Sequence, residues 1–316
     1  MDGDLSLAEL GEFAMIDRIV AGRRQPAGVL IGPGDDAAVV SAADARVAVT
    51  TDMLVEGSHF RLDWSSPHDV GRKAIAQNAA DIEAMGASVT SFVVAFGAPA
   101  HTPASRVQEL ADGMWHEVDM VGAGIVGGDL VRSPQWVVSV TALGDLAGRR
   151  PVRRSGARGG AHIAVVGDLG RSAAGFALWN NRIDGFGELK RRHLVPEPPY
   201  GQGAAAAEAG ALAMTDVSDG LLADLGHMAT ASGVVIRIDS HALRPDVDAV
   251  AAAARACGAD PWEFVLGGGE DHALVGCFDG IVPAGWRVIG HAGEGRPEVL
   301  VDGSPWTGSA GWQSFG

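Results

Sequence analysis

Acidic residues in this chain gather at glycine-punctuated turns and at the expected ends of strands. Asp35 and Asp36 sit in GPGDD, Asp52 follows RVAVTT, and Asp129 follows Gly127-Gly128. Asp216 closes a short apolar run, Asp219 lies in DVSDG, and Glu270 follows three glycines. Asp81 joins them from an expected helix, with Asn78 three residues earlier on the same face. Taken singly, each suits a turn former or a helix N-cap, and DVSDG before an apolar run is an N-cap in its own right. Taken together they suggest more. Two like charges ~4 Å apart repel by about 4 kcal/mol even at an effective dielectric near 20, so converging carboxylates must protonate or bind cations. Hard oxygen donors without Cys or His suit Mg²⁺, which keeps some waters and shares its other positions with substrate phosphates. The neighbouring glycines let backbone N–H groups approach phosphate oxygens closely. The pattern therefore points to divalent metal and a phosphorylated ligand.

Other chemistries find less support. No G-x-x-x-x-G-K-[ST] loop is present, nor a glycine-rich loop followed by a strand lysine and H-R-D. Of the 24 basic residues all but Lys73 and Lys190 are arginine, so phosphate charge must be met by metal and arginine. Arg149, Arg150, Arg153, Arg154 and Arg158 form the obvious reserve, although most of a basic stretch normally serves as solvated linker. No G-x-S-x-G elbow supports a serine nucleophile, and neither cysteine has an activating neighbour. Cys257 and Cys277 lie in apolar surroundings and read as two buried, reduced thiols. A net charge of −15 argues against nucleic acid as partner. The acidic N-terminal stretch lacks the features of a signal peptide, and no uncharged run reaches a membrane-spanning length. A cytoplasmic protein with no membrane partner is expected.

The elements that must position these acids can be read from periodicity. Apolar spacing predicts helices over 6–20, 67–85, 103–121, 171–180, 220–231 and 246–256. Strands are expected over 46–51, 88–96, 124–126, 135–144, 162–166, 212–215, 233–238, 272–278 and 286–290, with a polar connection at 181–200. Strands and helices alternate without a strict βα period, which fits two α+β domains. The segment AGRRPVRRSGARGG, residues 147–160, is the best boundary, dividing the chain into 1–148 and 149–316. Thr51-Asp52 followed by Gly127-Gly128-Asp129 is echoed by Thr215-Asp216 followed by Gly268-Gly269-Glu270, as a duplicated unit would give.

These segments together resemble the thiamine-monophosphate kinase family, within the superfamily that includes aminoimidazole ribonucleotide synthetase. The resemblance is carried by GEFAMIDRI (11–19), GPGDDAAVV (32–40), TTDMLVEGSHF (50–60), RKAIAQNAADIEAMGA (72–87), VGGDLVRS (126–133), RRSGARGG (153–160), TDVSDGLLADLGHMA (215–229) and LGGGEDHAL (266–274). It implies an N-terminal domain whose strands form a barrel across a homodimer, followed by a C-terminal α/β-type domain. It also implies ATP-dependent phosphorylation of thiamine monophosphate with several Mg²⁺ ions and ATP as co-substrate. Residue by residue, Asp36, Thr50, Thr51, Asp52, Asp81, Asp129, Asp216 and Asp219 match magnesium ligands. Gly128, Asp129, Arg154 and Ser218 match positions that contact ATP, and His59, Glu270 and Trp312 match positions that hold the thiamine phosphate. No catalytic nucleophile or base is implied, because an acceptor phosphate is already anionic and needs chiefly charge neutralisation and alignment. Another ATP-dependent synthetase of the superfamily, or a non-catalytic nucleotide- and metal-binding module, would share many of these features.

Overall fold

The computed structural model describes residues 5–33 and 37–312. The chain divides into two compact units, Met1–Ile82 with Val89–Ala147, and Glu83–Ser88 with Gly148–Gly316.

The first unit opens with α1 (Leu7–Leu10) and α2 (Glu12–Val20) where the apolar spacing predicts one helix. Gly11 divides them: at φ 83° it caps one helix and starts the next, a conformation that carries no Cβ penalty for glycine. A short antiparallel pair follows, β1 (Val29–Ile31) with β2 (Val39–Val40). The main sheet has four strands: β3 (Ala48–Val55), β4 (Ser88–Ala98), β5 (Gly124–Arg132) and β6 (Val137–Asp145), in the order β3-β6-β4-β5. β3 pairs antiparallel with β6 from Ala48↔Gly144 to Val55↔Val137, and β4 runs parallel to β5. Asp52 is therefore inside a strand and not at its end, because Met53-Leu54-Val55 continues both the β-prone sequence and the ladder. Asp129 likewise lies within β5, opposite Ala95, and not in a glycine turn.

Two helices, α3 (Pro67–Ala84) and α4 (Ala104–Val121), cross closely. A Cβ at Gly71 would lie 2.1 Å from the Leu110 carbonyl oxygen, and one at Gly113 would lie 2.0 Å from that of His68. The backbones touch where side chains would otherwise stand. Ser66 and Asp69 form a reciprocal cap at the start of α3, each side chain accepting the other's backbone N–H at 3.1 Å. On the main sheet, Val49 is 66% and Met53 53% exposed on one face of β3, and Val131 of β5 is 52% exposed.

The second unit is built on β7 (His162–Val166), β8 (Ala213–Asp216), β9 (Val235–Ile238), β10 (Leu274–Phe278), β11 (Arg287–Gly293), β12 (Glu298–Val301) and β13 (Ser304–Pro305). Their order is β13-β12-β9-β11-β7-β10-β8, antiparallel throughout except for β12 beside β9. Period-two alternation sends Ile163, Val165, Val275 and Cys277 into the larger core. It sends Ala164, Leu274 and Phe278 into a second core with Val152, Met214 and Trp286. Both sheet faces are thus covered, which explains why β10 reads as an unbroken apolar run. The larger core is packed by α5 (Arg171–Asn180), α8 (Leu221–Ser232), α9 (Arg244–Cys257) and α10 (Pro261–Gly267). Two further helices are α6 (Gly187–Leu194) and α7 (Gln202–Glu208). α6 occupies the stretch expected to be a polar connection, because GELKRRHL buries only Leu189 and His193 and so shows no apolar stripe. Cys277 is buried, and burial raises its thiol pKa, whereas Cys257 is only half-buried. Among the described residues no helix is long and apolar enough to cross a membrane.

The Gly113 contact predicts that Gly113→Ala lowers stability by about 2 kcal/mol or more, since the obstructing atom is backbone. Gly226 of α8 has nothing within 4 Å of an added Cβ, so Gly226→Ala should be neutral or stabilise by up to about 1 kcal/mol. Thermal unfolding of both variants beside the parent checks the contrast.

Candidate functional site

In the first unit the acids are organised by one strand and one helix. Thr50 and Asp52 alternate onto the same face of β3. Thr50 Oγ1 donates to Asp81 Oδ2 of α3 at 2.6 Å. β3 is an edge strand, and the Asp52 N–H donates at 3.0 Å to Asn78 Oδ1 of the same helix, whose Nδ2 is held by the Ala74 carbonyl at 2.9 Å. A helical i, i+3 pair thus presents one residue that closes the strand edge and one that engages Thr50. Thr51 lies on the opposite face, where its hydroxyl donates to the Val140 carbonyl at 3.0 Å and accepts from Thr141 at 3.1 Å. Asp129 is on β5, the far edge of the sheet, three strand spacings or roughly 14 Å from β3. Its Oδ1 accepts the Leu130 N–H at 3.0 Å. Gly128 is fixed by packing: a Cβ there would lie 2.0 Å from the Val94 carbonyl oxygen. Asp35 and Asp36 lie outside the described residues.

His59 follows β3 in a tight turn. Its Nδ1 accepts the Val55 N–H at 3.1 Å, which leaves the ring proton on Nε2 as a donor. The turn is held from below by Lys73, a side chain only 2% exposed, whose ammonium donates to the His59 carbonyl at 3.1 Å. Lys73 went unrecognised in the sequence except for its rarity.

In the second unit two loops are stitched together. Val217 N–H donates to Ala273, His272 N–H to Val217 and Glu270 N–H to Ser218, at 2.8, 2.9 and 2.7 Å. Gly269 permits this approach, since a Cβ there would meet the Ser218 carbonyl oxygen at 2.5 Å. Glu270 (φ 63°) and His272 (φ 53°) are both left-handed, a backbone state that costs non-glycine residues energy and is commonly found at functional loops. Asp216, at the end of β8 and 2% exposed, lies with its Oδ2 3.2 Å from His272 Nδ1. The carboxylate of Glu270 lies 3.5 Å from His193 Nδ1, and that nitrogen is also 3.2 Å from Ser172 Oγ. Trp312 donates its backbone N–H to the Asp219 carbonyl at 2.9 Å and leaves its indole 70% exposed. Arg154 donates from Nε to Thr215 Oγ1 at 3.2 Å, one residue from Asp216. Of the other basic-stretch residues, Arg149 donates to the Gly86 carbonyl and Arg158 pairs with Asp279.

The structure corrects the reading of DVSDG as an N-cap. No side chain caps α8 at Gly220. The loop N–H groups of Ser218, Asp219 and Gly220 instead converge, each at 3.1 Å, on Oδ2 of Asp224 from the first turn of the helix. Burial first, then the charge of Asp216, raises the Asp224 pKa to about 7. Asp271 plays a matching role for α5, accepting the N–H groups of Gly170 and Ser172 at 2.5 and 2.8 Å. Its pKa is also raised to about 7, chiefly by burial. Neither acid stood out in the sequence. Asp224 gave one signal, a carboxylate inside the otherwise apolar run LLADL, whereas Asp271, between Glu270 and His272, gave none.

The residues thus fall into three groups. Thr50, Asp52 and Asp81 are held together with Asn78, and Ser218, Asp219, Glu270 and Trp312 are held together beside Asp216. Asp129 is carried by β5, the opposite edge strand of the same sheet, and the hydroxyl of Thr51 bonds on the other face of β3. Residues 34–146 match the family AIR synthase related protein, N-terminal domain, and residues 158–277 match AIR synthase related protein, C-terminal domain. Over 311 residues the chain is 70% identical to thiamine-monophosphate kinase of Mycobacterium tuberculosis, covering 98% of this chain and 93% of that one. The chain belongs to the thiamine-monophosphate kinase family. The enzyme of the same name from Corynebacterium glutamicum is 43% identical over 320 residues, covering 98% and 95%. Thiamine-monophosphate kinase from Stenotrophomonas maltophilia superposes with a TM-score of 0.79 at 31% identity, covering 94% and 98%. AaThiL complexed with AMPPCP and TMP superposes with a TM-score of 0.77 at 31% identity, covering 98% of this chain and 99% of that one.

Asp271 predicts a pH signature. Its folded pKa of about 7 exceeds the usual carboxylate value, so between about pH 4 and 7 the folded state binds more protons than the unfolded one. Stability should therefore fall as pH rises through that window, by at most about 1.4 kcal/mol per pH unit from this group. Denaturant unfolding from pH 4.5 to 8 should show that component in the parent and lose it in Asp271→Asn.

Proposed function

We infer that this protein transfers the γ-phosphoryl group of ATP to the phosphate of thiamine monophosphate, yielding thiamine diphosphate and ADP. The observation that carries the reading is the pairing of Thr50 with Asp81 beside Asp52, on a chain that aligns over nearly its full length with thiamine-monophosphate kinases. The acceptor phosphate is anionic at neutral pH, so a base is dispensable. In-line transfer without a phosphoenzyme needs alignment and charge neutralisation.

The donor set of Thr50, Asp52, Asp81, Asp216 and Asp219 is all oxygen and suits Mg²⁺. Mg²⁺ held by these residues, with Asp36, Thr51 and Asp129, would supply positive charge to the polyphosphate oxygens. The chain's own groups do the remaining work. Thr50 fixes the orientation of Asp81 through Oδ2, and Asn78 anchors the strand at Asp52. Gly128, Asp129, Arg154 and Ser218 hold the nucleotide, Arg154 being steadied by Thr215. His59 offers Nε2–H to the thiamine phosphate, Glu270 faces the aminopyrimidine, and the exposed indole of Trp312 stacks on a thiamine ring. Residues 1–148 carry most of the metal and ATP work, and 149–316 add the thiamine contacts of Glu270 and Trp312. The exposed apolar face of β3 bearing Val49 and Met53 is the surface that a second copy covers, giving a homodimer with a shared barrel. The setting is cytoplasmic.

Purified protein with ATP, Mg²⁺ and thiamine monophosphate should form equimolar ADP and thiamine diphosphate, and free thiamine should give no product. Asp52→Asn and Asp81→Asn should each lower kcat by about 10²–10³-fold or more while circular dichroism stays unchanged. Near-normal turnover in either variant contradicts the reading.

A further inference from the structure

His193 is a buried histidine for which the phosphoryl-transfer reading has no use. It lies in the last turn of α6, where Arg191 and Arg192 before it both pair with Glu197. His193 turns inward instead and is 8% exposed. Its ring is held on three sides. Gly175 of α5 brings the two helices into backbone contact there: a Cβ at Gly175 would lie 2.2 Å from the Leu189 carbonyl oxygen and 2.9 Å from His193 Cβ. Phe176 meets the imidazole in a T-shaped contact, with ring centroids 5.3 Å apart and planes at 62°. Ser172, 1% exposed, sets its Oγ 3.2 Å from Nδ1, and its own N–H is fixed on Asp271 at 2.8 Å. So held, the ring places Nδ1 3.5 Å from Oε2 of Glu270. A carboxylate can only accept, whereas a hydroxyl can accept or donate, so the nitrogen that faces both oxygens is the one that carries the ring proton. Glu270 is anchored at its backbone, with φ at 63° and its N–H on the Ser218 carbonyl at 2.7 Å. Beyond that anchor its side chain turns about three bonds.

We propose that His193 is a positioning residue for substrate recognition. It holds Oε2 of Glu270, so that the carboxylate keeps the plane in which it accepts the exocyclic amino N–H of the thiamine pyrimidine. The proposal deepens the kinase reading and rests on the part that sets Glu270 against the aminopyrimidine. His193 acts through Glu270 and not on the phosphates, so binding of thiamine monophosphate depends on it and the transfer step does not. Discrimination follows from the same contact. A carboxylate held in place accepts from an amino group and repels a carbonyl oxygen put there instead, since both are then acceptors. A carboxylate that can swing aside loses part of both effects.

The test is steady-state kinetics of the full-length protein with Mg²⁺ and saturating ATP. The substrates are thiamine monophosphate and its analogue with an oxo group in place of the pyrimidine amino group. His193→Phe keeps a ring and removes the donor, whereas His193→Asn keeps a donor near the Nδ1 position. His193→Phe should raise KM for thiamine monophosphate at least about tenfold with kcat within about threefold, and should shrink the preference over the oxo analogue at least about tenfold. His193→Asn should recover most of both, which a purely packing role would not give. His193→Gln, whose amide reaches the Nε2 position instead, should behave as His193→Phe and takes its place if the phenylalanine variant does not fold. In a Glu270→Gln background His193→Phe should change KM by less than about twofold, because the two residues act as one unit. Parental KM and preference in both His193→Phe and His193→Gln overturn the proposal, as does a fall confined to kcat. A raised KM in Glu270→Gln beside a parental KM in the His193 variants removes the positioning role alone. A parental KM in Glu270→Gln removes the Glu270 assignment beneath it.

Discussion

Like charge at short range is the constraint around which the rest of this protein is arranged. Asp216 is almost fully buried, and its charge is one reason Asp224 holds its proton up to about pH 7. Such an arrangement is costly for the fold alone, and hydrophobic residues in these places would be more stable. The architecture absorbs the cost with hydrogen bonds that leave carboxylate oxygens oriented. Thr50 donates to Asp81, and three consecutive loop amides converge on Asp224. Cations and polyphosphate supply the remaining compensation in the kinase reading.

Both units solve the problem by setting an acid-bearing segment against backbone that has unsatisfied groups. In the first, an edge strand needs a partner for an outward N–H, and Asn78 provides it from the helix that also bears Asp81. In the second, two glycine-rich loops are zipped by backbone hydrogen bonds that only Gly269 permits at that distance. The price is left-handed backbone at Glu270 and His272, positions that place one carboxylate near His193 and one imidazole against Asp216. Tight helix crossing at Gly71 and Gly113 keeps α3, and hence Asn78 and Asp81, from shifting.

The sequence revealed the chemistry more readily than the geometry. Strand 162–166 and helix 171–180 were legible to the residue, because period-two and period-3.6 patterns are clean where one face is buried. α6 and α10 were not, since one lacks an apolar stripe and the other is only seven residues long. The acids were recognisable by type and glycine context, yet Asp52 and Asp129 proved to be mid-strand, because strand ends are set by ladder partners distant in sequence. Asp224, Asp271 and Lys73 escaped for a related reason. Their work is to hold backbone groups 4 to 101 residues away, and nothing local marks such a partner.

If compensation by cations is what makes these acids a site, nucleotide binding must depend on them. Calorimetric titration of the protein with a non-hydrolysable ATP analogue, with Mg²⁺ saturating and then chelated, measures that dependence directly. The account predicts that affinity falls by at least about 100-fold when the ion is removed, as several carboxylates then face the polyphosphate unscreened. Equal affinity with and without Mg²⁺ would contradict it.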